Sequence, residues 1–210
     1  MRLCVLDVDS TLITAEVIEL IAERAGTRAQ VAEITERAMR GELDFAASLK
    51  ERVATLAGVP DTVFADVLAE VRLTPGADAL VSSLQEDGWE VGLVSGGFIE
   101  VVAPLAASIG ITRYRANRLE VADGVLTGRT IGTVIDRAEK AATLRAWAEE
   151  LGCPLADAVA IGDGANDLDM MDAAGLGIAF NAKPVVQERA DVALNAPRLD
   201  AALDVIRQRV

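Results

Sequence analysis

An α/β fold is predicted for this chain: a doubly wound, mainly parallel sheet with a helical cap module inserted after the first strand. Three observations predict it. Short apolar runs of strand length recur along the 210 residues, too continuous to alternate and so buried on both faces. Helical patterns separate these runs, and glycines follow the helices where a left-handed cap residue is wanted. One stretch, residues 14–72, breaks the alternation with helix after helix.

The first strand is RLCVLDV at residues 2–8; EVGLV at 90–94, DAVAI at 157–161 and LGIAF at 176–180 repeat it, with a last short strand near 192–194. Helical patterns cover about 76–87, 98–109, 137–151 and 167–173, followed by Gly88, Gly110, Gly152 and Gly175. Strands alternating with helices make a parallel sheet covered on both sides, and ligands bind at the carboxyl ends of its strands. Asp7, Ser95 and Asp163 all fall there. The helical stretch, with breaks at Gly26-Thr27, Gly41 and Gly58-Val59-Pro60, divides the chain into a core of residues 1–13 plus 73–210 and a cap of 14–72. Asp123-Gly124, between short alternating arms within residues 118–130, signals a hairpin.

The formal charge of −13 and a pI near 4.4 argue against nucleic acid or an anionic membrane surface as partner. A phosphorylated substrate gains nothing from that sign at long range, although screening over about 8 Å blunts it. Any anion site must be built locally from a metal, a Lys or Arg, and backbone N–H groups. The chain has no His, which removes His bases, phosphohistidine and His metal ligands together. No apolar run approaches the roughly 18–20 residues of a membrane span, and no basic leader opens the chain, so a soluble cytoplasmic protein is expected. Cys4 and Cys153 read as unpaired thiols of a reducing compartment, with no zinc site.

Two acid clusters each follow a buried-strand pattern. Asp7 and Asp9 flank Val8, and in an extended strand end both carboxylates reach one face. They serve as turn residues ahead of a Ser10 or Thr11 cap, or they share a hard cation, Mg²⁺ being the natural choice for oxygen ligands. Gly162-Asp163-Gly164-Ala165-Asn166-Asp167 is the second cluster. Its glycines let backbone approach a ligand closely, while Asp167 equally suits a helix start. Ser95-Gly96-Gly97, after a strand and before a helix, is either an anion cradle or an ordinary loop.

Lys140 is one of only 3 Lys against 17 Arg. A compact ammonium suits a single phosphate oxygen, although a solvated helix surface also takes Lys. Arg52 shares a helical face with Phe45, Leu49 and Leu56, so it either snorkels at the stripe's edge or meets an anion beneath the cap. Glu16 sits in the first turn of the first cap helix, where the dipole alone justifies it. Together Glu16 and Arg52 suit a zwitterion.

The set Asp7-Val8-Asp9-Ser10-Thr11, Ser95-Gly96-Gly97, Lys140 and GDGANDLDM at 162–170 resembles the haloacid dehalogenase (HAD) superfamily of aspartyl-phosphate phosphohydrolases. Glu16 within AEVIELIAERAG, the stretch AMRGELDFAASLKERVATLAG, LVSGGF and AFNAKPVVQERADVAL make it similar to the branch acting on phosphoserine, from residue 2 to about 195. The resemblance implies a HAD-like Rossmannoid core and hydrolysis of a small phosphomonoester, phosphoserine, as the last step of serine biosynthesis. Asp7 is then the nucleophile, and Asp9 the acid and later the base. Asp7, the Asp9 carbonyl and Asp163 ligate Mg²⁺, with Asp167 in support. Ser95, the Gly96 amide, Lys140 and Asn166 hold phosphate. Glu16 and Arg52 clamp the amino and carboxylate groups, and Met39, Phe45 and Gly97 shape the pocket. An added amino-terminal regulatory domain, which some family members carry, is not expected within 210 residues. Phosphohomoserine or a sugar phosphate is the rival substrate. A receiver-type signalling domain is the rival class, although it would need neither the cap nor an Asp9 proton shuttle.

Overall fold

A computed structural model describes residues 1–39 and 42–209. Its centre is a seven-stranded sheet in the order β4-β3-β2-β1-β5-β6-β7, with β1 (Arg2–Leu6), β2 (Trp89–Phe98), β3 (Arg113–Ala122), β4 (Val125–Ile131), β5 (Ala158–Gly162), β6 (Leu176–Phe180) and β7 (Val192–Leu194). Every neighbouring pair is parallel except β3 with β4.

Side-chain alternation explains why both faces are covered. Cys4 and Leu6 of β1, with Val159 and Ile161 of β5, join one apolar cluster; Leu3, Val5, Ala158 and Ala160 join the other. The first cluster packs under α5 (Ala77–Glu86), α6 (Ile99–Ser108) and α10 (Ala202–Arg209); the second lies under α7 (Arg137–Leu151), α8 (Leu168–Ala173) and the short α9 (Pro184–Gln187). Strands buried on both faces are why these runs read as continuously apolar.

Between β1 and α5 run α1 (Val17–Ala25), α2 (Arg28–Met39), α3 (Phe45–Ala54) and α4 (Val63–Glu70). The chain leaves and returns at one point, where Ile13 bridges Leu73 and the Thr14 N–H donates to the Arg72 carbonyl at 3.1 Å. Gly26, at φ +70°, closes α1, and Pro60 bridges Val125 of β4. The break expected at Gly41 lies outside the described residues. No helix among the described residues is long and apolar enough to cross a membrane.

Several local expectations change. The first strand stops at Leu6 rather than residue 8, because Val8–Leu12 winds into a wide turn with Ser10 in the left-handed region at φ 58°. The segment after residue 94 is no loop: β2 continues through Phe98, and its register against β3 shifts between Ser95 and Phe98. The hairpin at Asp123-Gly124 is present with both residues at positive φ, but its first arm begins at Arg113 and joins the main sheet beside β2. Gly88, Gly110 and Gly152 are left-handed as expected, while Gly175 is not. A Cβ on Gly175 would lie 2.0 Å from the Ala156 carbonyl oxygen, so close backbone approach explains that glycine. Leu56 falls beyond the end of α3, and Glu16 precedes α1 at its N-cap position without capping it.

Candidate active site

Strand register brings the two acid clusters together. Leu6 of β1 is paired with Ile161 of β5, and the Asp7 N–H donates to the Ile161 carbonyl at 2.9 Å. Asp7 and Asp163 therefore leave adjacent strand tips. One short turn later Asp167 folds back, its Oδ2 accepting from the Gly164 N–H at 3.0 Å. A Cβ on Gly162 would sit 2.4 Å from that oxygen, so glycine is what admits the return. Asp7, Asp163 and Asp167 each offer a carboxylate oxygen within 4.8 Å of the others.

Three acids at one point need compensating charge. Lys140, fully buried on α7, supplies some of it: its Nζ lies 2.5 Å from Asp7 Oδ1 and 2.6 Å from Asp167 Oδ1. Burial works against the Lys140 charge, but Asp167 and Asp7 together outweigh it and raise its pKa. Burial, then Asp167, push Asp7 well above the usual carboxylate range in spite of Lys140. Burial, then Asp167 and Glu16, bring Asp163 to about 6. One ammonium among three acids leaves the group short of positive charge, a hard-oxygen donor set that fits a divalent cation.

Asp9 is set apart. Its Oδ1 accepts from the Val17 N–H at the start of α1, at 3.2 Å, and its Oδ2 lies over Gly97, where a Cβ would come within 2.7 Å. Burial and then Glu16 raise its pKa to about 7. An acid that exchanges its proton near neutrality is what an acid–base role requires.

Glu16, Phe45, Arg52, Gly96, Gly97 and Asn166 line one cavity of about 580 Å³ that also holds Asp7, Asp9 and Asp163; Ser95 lies behind that lining. Phe45 leans over Gly96, its Cζ 3.1 Å from a hypothetical Cβ there, and the Asn166 amide nitrogen approaches the same point at 3.8 Å. Ser95 is fully buried, and its Oγ accepts from the Gly97 N–H at 2.8 Å. Glu16 takes a 2.6 Å hydrogen bond from the Ser10 hydroxyl. Arg52 donates to the Ser48 carbonyl at 3.3 Å and has no ion pair among the described residues, though burial lowers its pKa while Glu16 and Asp9 raise it. A half-buried guanidinium facing a cavity with no ion pair among the described residues is a natural carboxylate receptor. The Met39 side chain lies outside the described residues.

Ser10, Asn117, Arg137 and Lys183 escaped the sequence reading as functional residues. Arg137, which lines the cavity, pairs with Asp169. Lys183 lines the same cavity, and its charge lowers the pKa of Asp163. The scarcity of Lys that drew notice to Lys140 applied equally to Lys183. Nothing in the sequence marked Asn117.

The haloacid dehalogenase-like hydrolase family profile matches residues 4–172. The chain belongs to this family. It is 54% identical over 202 residues to phosphoserine phosphatase SerB2 of Mycobacterium tuberculosis, covering 96% of this chain and 49% of the relative. A phosphoserine phosphatase of Streptococcus thermophilus is 51% identical over 204 residues, covering 97% of this chain and 95% of the relative. The chain thus spans about half the length of the former (49%) and nearly all of the latter (95%). A solved phosphoserine phosphatase carrying a phospho-aspartyl intermediate analogue superposes with a TM-score of 0.92 at 39% identity, over 97% of this chain and 98% of that one.

Proposed function

We propose that this chain is a Mg²⁺-dependent phosphatase that hydrolyses O-phospho-L-serine to L-serine and phosphate through a phosphoaspartate on Asp7. The observation that carries the reading is one cavity lined by Asp7, Asp9 and Asp163 and also by Glu16 and Arg52, whose guanidinium has no ion pair among the described residues. That set of charges in one cavity suits a small phosphomonoester carrying an amino acid. The relatives named phosphoserine phosphatase support the same substrate.

Asp7, Asp163 and the Asp9 carbonyl would hold the metal, with Asp167 in support; the clustered acids and their raised pKa values fit that group. When bound, Mg²⁺ withdraws charge from phosphoryl oxygens. In the first step an Asp7 carboxylate oxygen forms the new bond to phosphorus while the bond to the seryl oxygen breaks. Asp9, protonated at the outset, gives its proton to that oxygen. In the second step Asp9 takes a proton from water, which attacks the phosphoaspartate and frees phosphate. Lys140, Ser95, the Gly96 amide and Asn166 balance charge on the phosphoryl oxygens and keep them in line. Glu16 receives the substrate ammonium and Arg52 its carboxylate, with Phe45 and Gly97 shaping the space between. Residues 14–72 act as a cap whose closure excludes water. The two free thiols, Cys4 and Cys153, suit the reducing cytoplasm in which serine is made.

The test is phosphate release from a panel of phosphomonoesters with and without Mg²⁺. Preference for phosphoserine over phosphohomoserine and sugar phosphates, abolished by chelation, is the expected result. Stable phosphorylation without turnover would replace the reading with a receiver-type one.

A further inference from the structure

Asn117 is an asparagine on β3, 1% exposed, with both ends of its amide committed to backbone. Its Nδ2 donates to the Gly96 carbonyl at 2.8 Å, and its Oδ1 accepts from the Ile135 N–H at 2.8 Å. One partner lies in the candidate phosphate cradle; the other directly precedes Asp136, the N-cap of the helix that carries Lys140.

The sheet explains why a side chain is used there. Ser95 of β2 is paired with Ala116 of β3, yet the next pairing is Phe98 with Asn117. Gly96 and Gly97 therefore bulge between two consecutive β3 residues, without ladder partners of their own. Asn117 supplies by side chain the donor that the interrupted ladder no longer brings to the Gly96 carbonyl.

The consequence follows from peptide planarity. The Gly96 carbonyl and the Gly97 N–H belong to one trans peptide and point in opposite directions. Holding the carbonyl toward β3 turns the Gly97 N–H the other way, where it donates to Ser95 Oγ at 2.8 Å. That bond occupies a lone pair of the hydroxyl and leaves its proton for another acceptor.

We propose that Asn117 is a positioning residue of the phosphate cradle: it orients the Gly96–Gly97 peptide, through it the Ser95 hydroxyl, and ties that cradle to the start of the Lys140 helix. This rests on the reading that the cradle takes a phosphoryl group, but on no particular alcohol portion of the substrate.

The experiment titrates inorganic phosphate into the full chain with Mg²⁺ by calorimetry, which needs no turnover. Asn117→Asp keeps the acceptor for the Ile135 N–H. Ionised, its carboxylate faces the Gly96 carbonyl; protonated, its O–H donates there as the amide does. Phosphate should bind Asn117→Asp at least about tenfold more weakly than wild type near pH 8, with the gap closing toward about pH 5.5 as the buried carboxyl takes up a proton. The loss should also shrink in a Ser95→Ala background, because Asn117 acts through Ser95. Thermal melts accompany each titration. Should Asn117→Asp be unfolded near pH 8, Asn117→Ser replaces it, with about tenfold weaker binding expected at every pH. Wild-type affinity in a folded variant, or an Asn117→Asp loss that is independent of pH and fully additive with Ser95→Ala, would overturn the proposal. Phosphate binding by a wild-type chain that leaves phosphoserine intact would instead overturn the substrate reading.

Discussion

Lys140 Nζ stands 2.5 Å from Asp7 Oδ1 and 2.6 Å from Asp167 Oδ1, so one buried ammonium serves two carboxylates. Removing either sign has opposite consequences. Asp7→Asn takes away an acid from an acid-rich group and leaves the Lys140–Asp167 pair, so stability should hold or rise. Turnover should fall by more than about 10³-fold, the scale on which loss of a covalent nucleophile registers. Lys140→Met leaves the acids uncompensated and should destabilise by about 3–5 kcal/mol. Thermal melts beside phosphate-release assays check both. Appreciable turnover by Asp7→Asn would end the covalent mechanism.

In the same cavity, Arg52→Ala should raise the KM for phosphoserine about 10–100-fold, the worth of a hydrogen bond to a charged group. Turnover of an aryl phosphate, which has no carboxylate to lose, should be unchanged. Ser10→Ala frees Glu16 from its 2.6 Å restraint and should shift the same KM in the same direction by less. Equal losses on both substrates would remove the clamp.

Metal removal should make stability depend on pH with an unusual sign. Asp7, Asp9 and Asp163 all have folded pKa values above their unfolded ones, Asp9 at about 7 and Asp163 at about 6. The folded state therefore binds more protons than the unfolded between about pH 4 and 7, and linkage makes stability fall as pH rises. Chelated protein should melt at least about 2 °C lower at the upper end of that window than at its centre. Added Mg²⁺ should raise the melting point most where the acids are ionised, because it binds only the folded site. Differential scanning fluorimetry across pH, with chelator and with Mg²⁺, reads both trends. A flat or rising profile in the chelated protein would contradict the acid group's cost.

How much was legible in sequence follows from range. The strands of the double-sided sheet were readable because burial on both faces writes continuous apolar runs, and β1 and β5 could be paired by the acids ending them. The turn at Ser10 was not, since a left-handed serine leaves no compositional trace and the first strand was drawn two residues too long. The β2 bulge was hidden for a related reason: Ser95-Gly96-Gly97 looks the same as loop or as interrupted ladder until β3 lies beside it. Asn117 is the extreme case, an isolated amide in a strand whose value comes entirely from two backbone groups on other elements. Lys183 was within reach, had the rarity of Lys been followed past Lys140.

Two glycines now separate chemistry from folding. A Cβ on Gly97 would lie 2.7 Å from Asp9 Oδ2 and 3.0 Å from Ser95 Oγ, both side-chain atoms. Gly97→Ala should push the proton-transfer acid and the cradle hydroxyl apart with little cost to the fold. Displacing reacting groups by up to an ångström costs as much as about 10²-fold in rate. On Gly175 the clash is with the Ala156 backbone, at 2.0 Å from its oxygen, so the strand connection itself must move. Gly175→Ala should lose about 1–3 kcal/mol, as overpacking does, while the folded fraction keeps its kcat. Comparing kcat with melting temperature for the two variants decides it: a Gly97→Ala enzyme that turns over like wild type would mean that Asp9 and Ser95 need no fixed spacing.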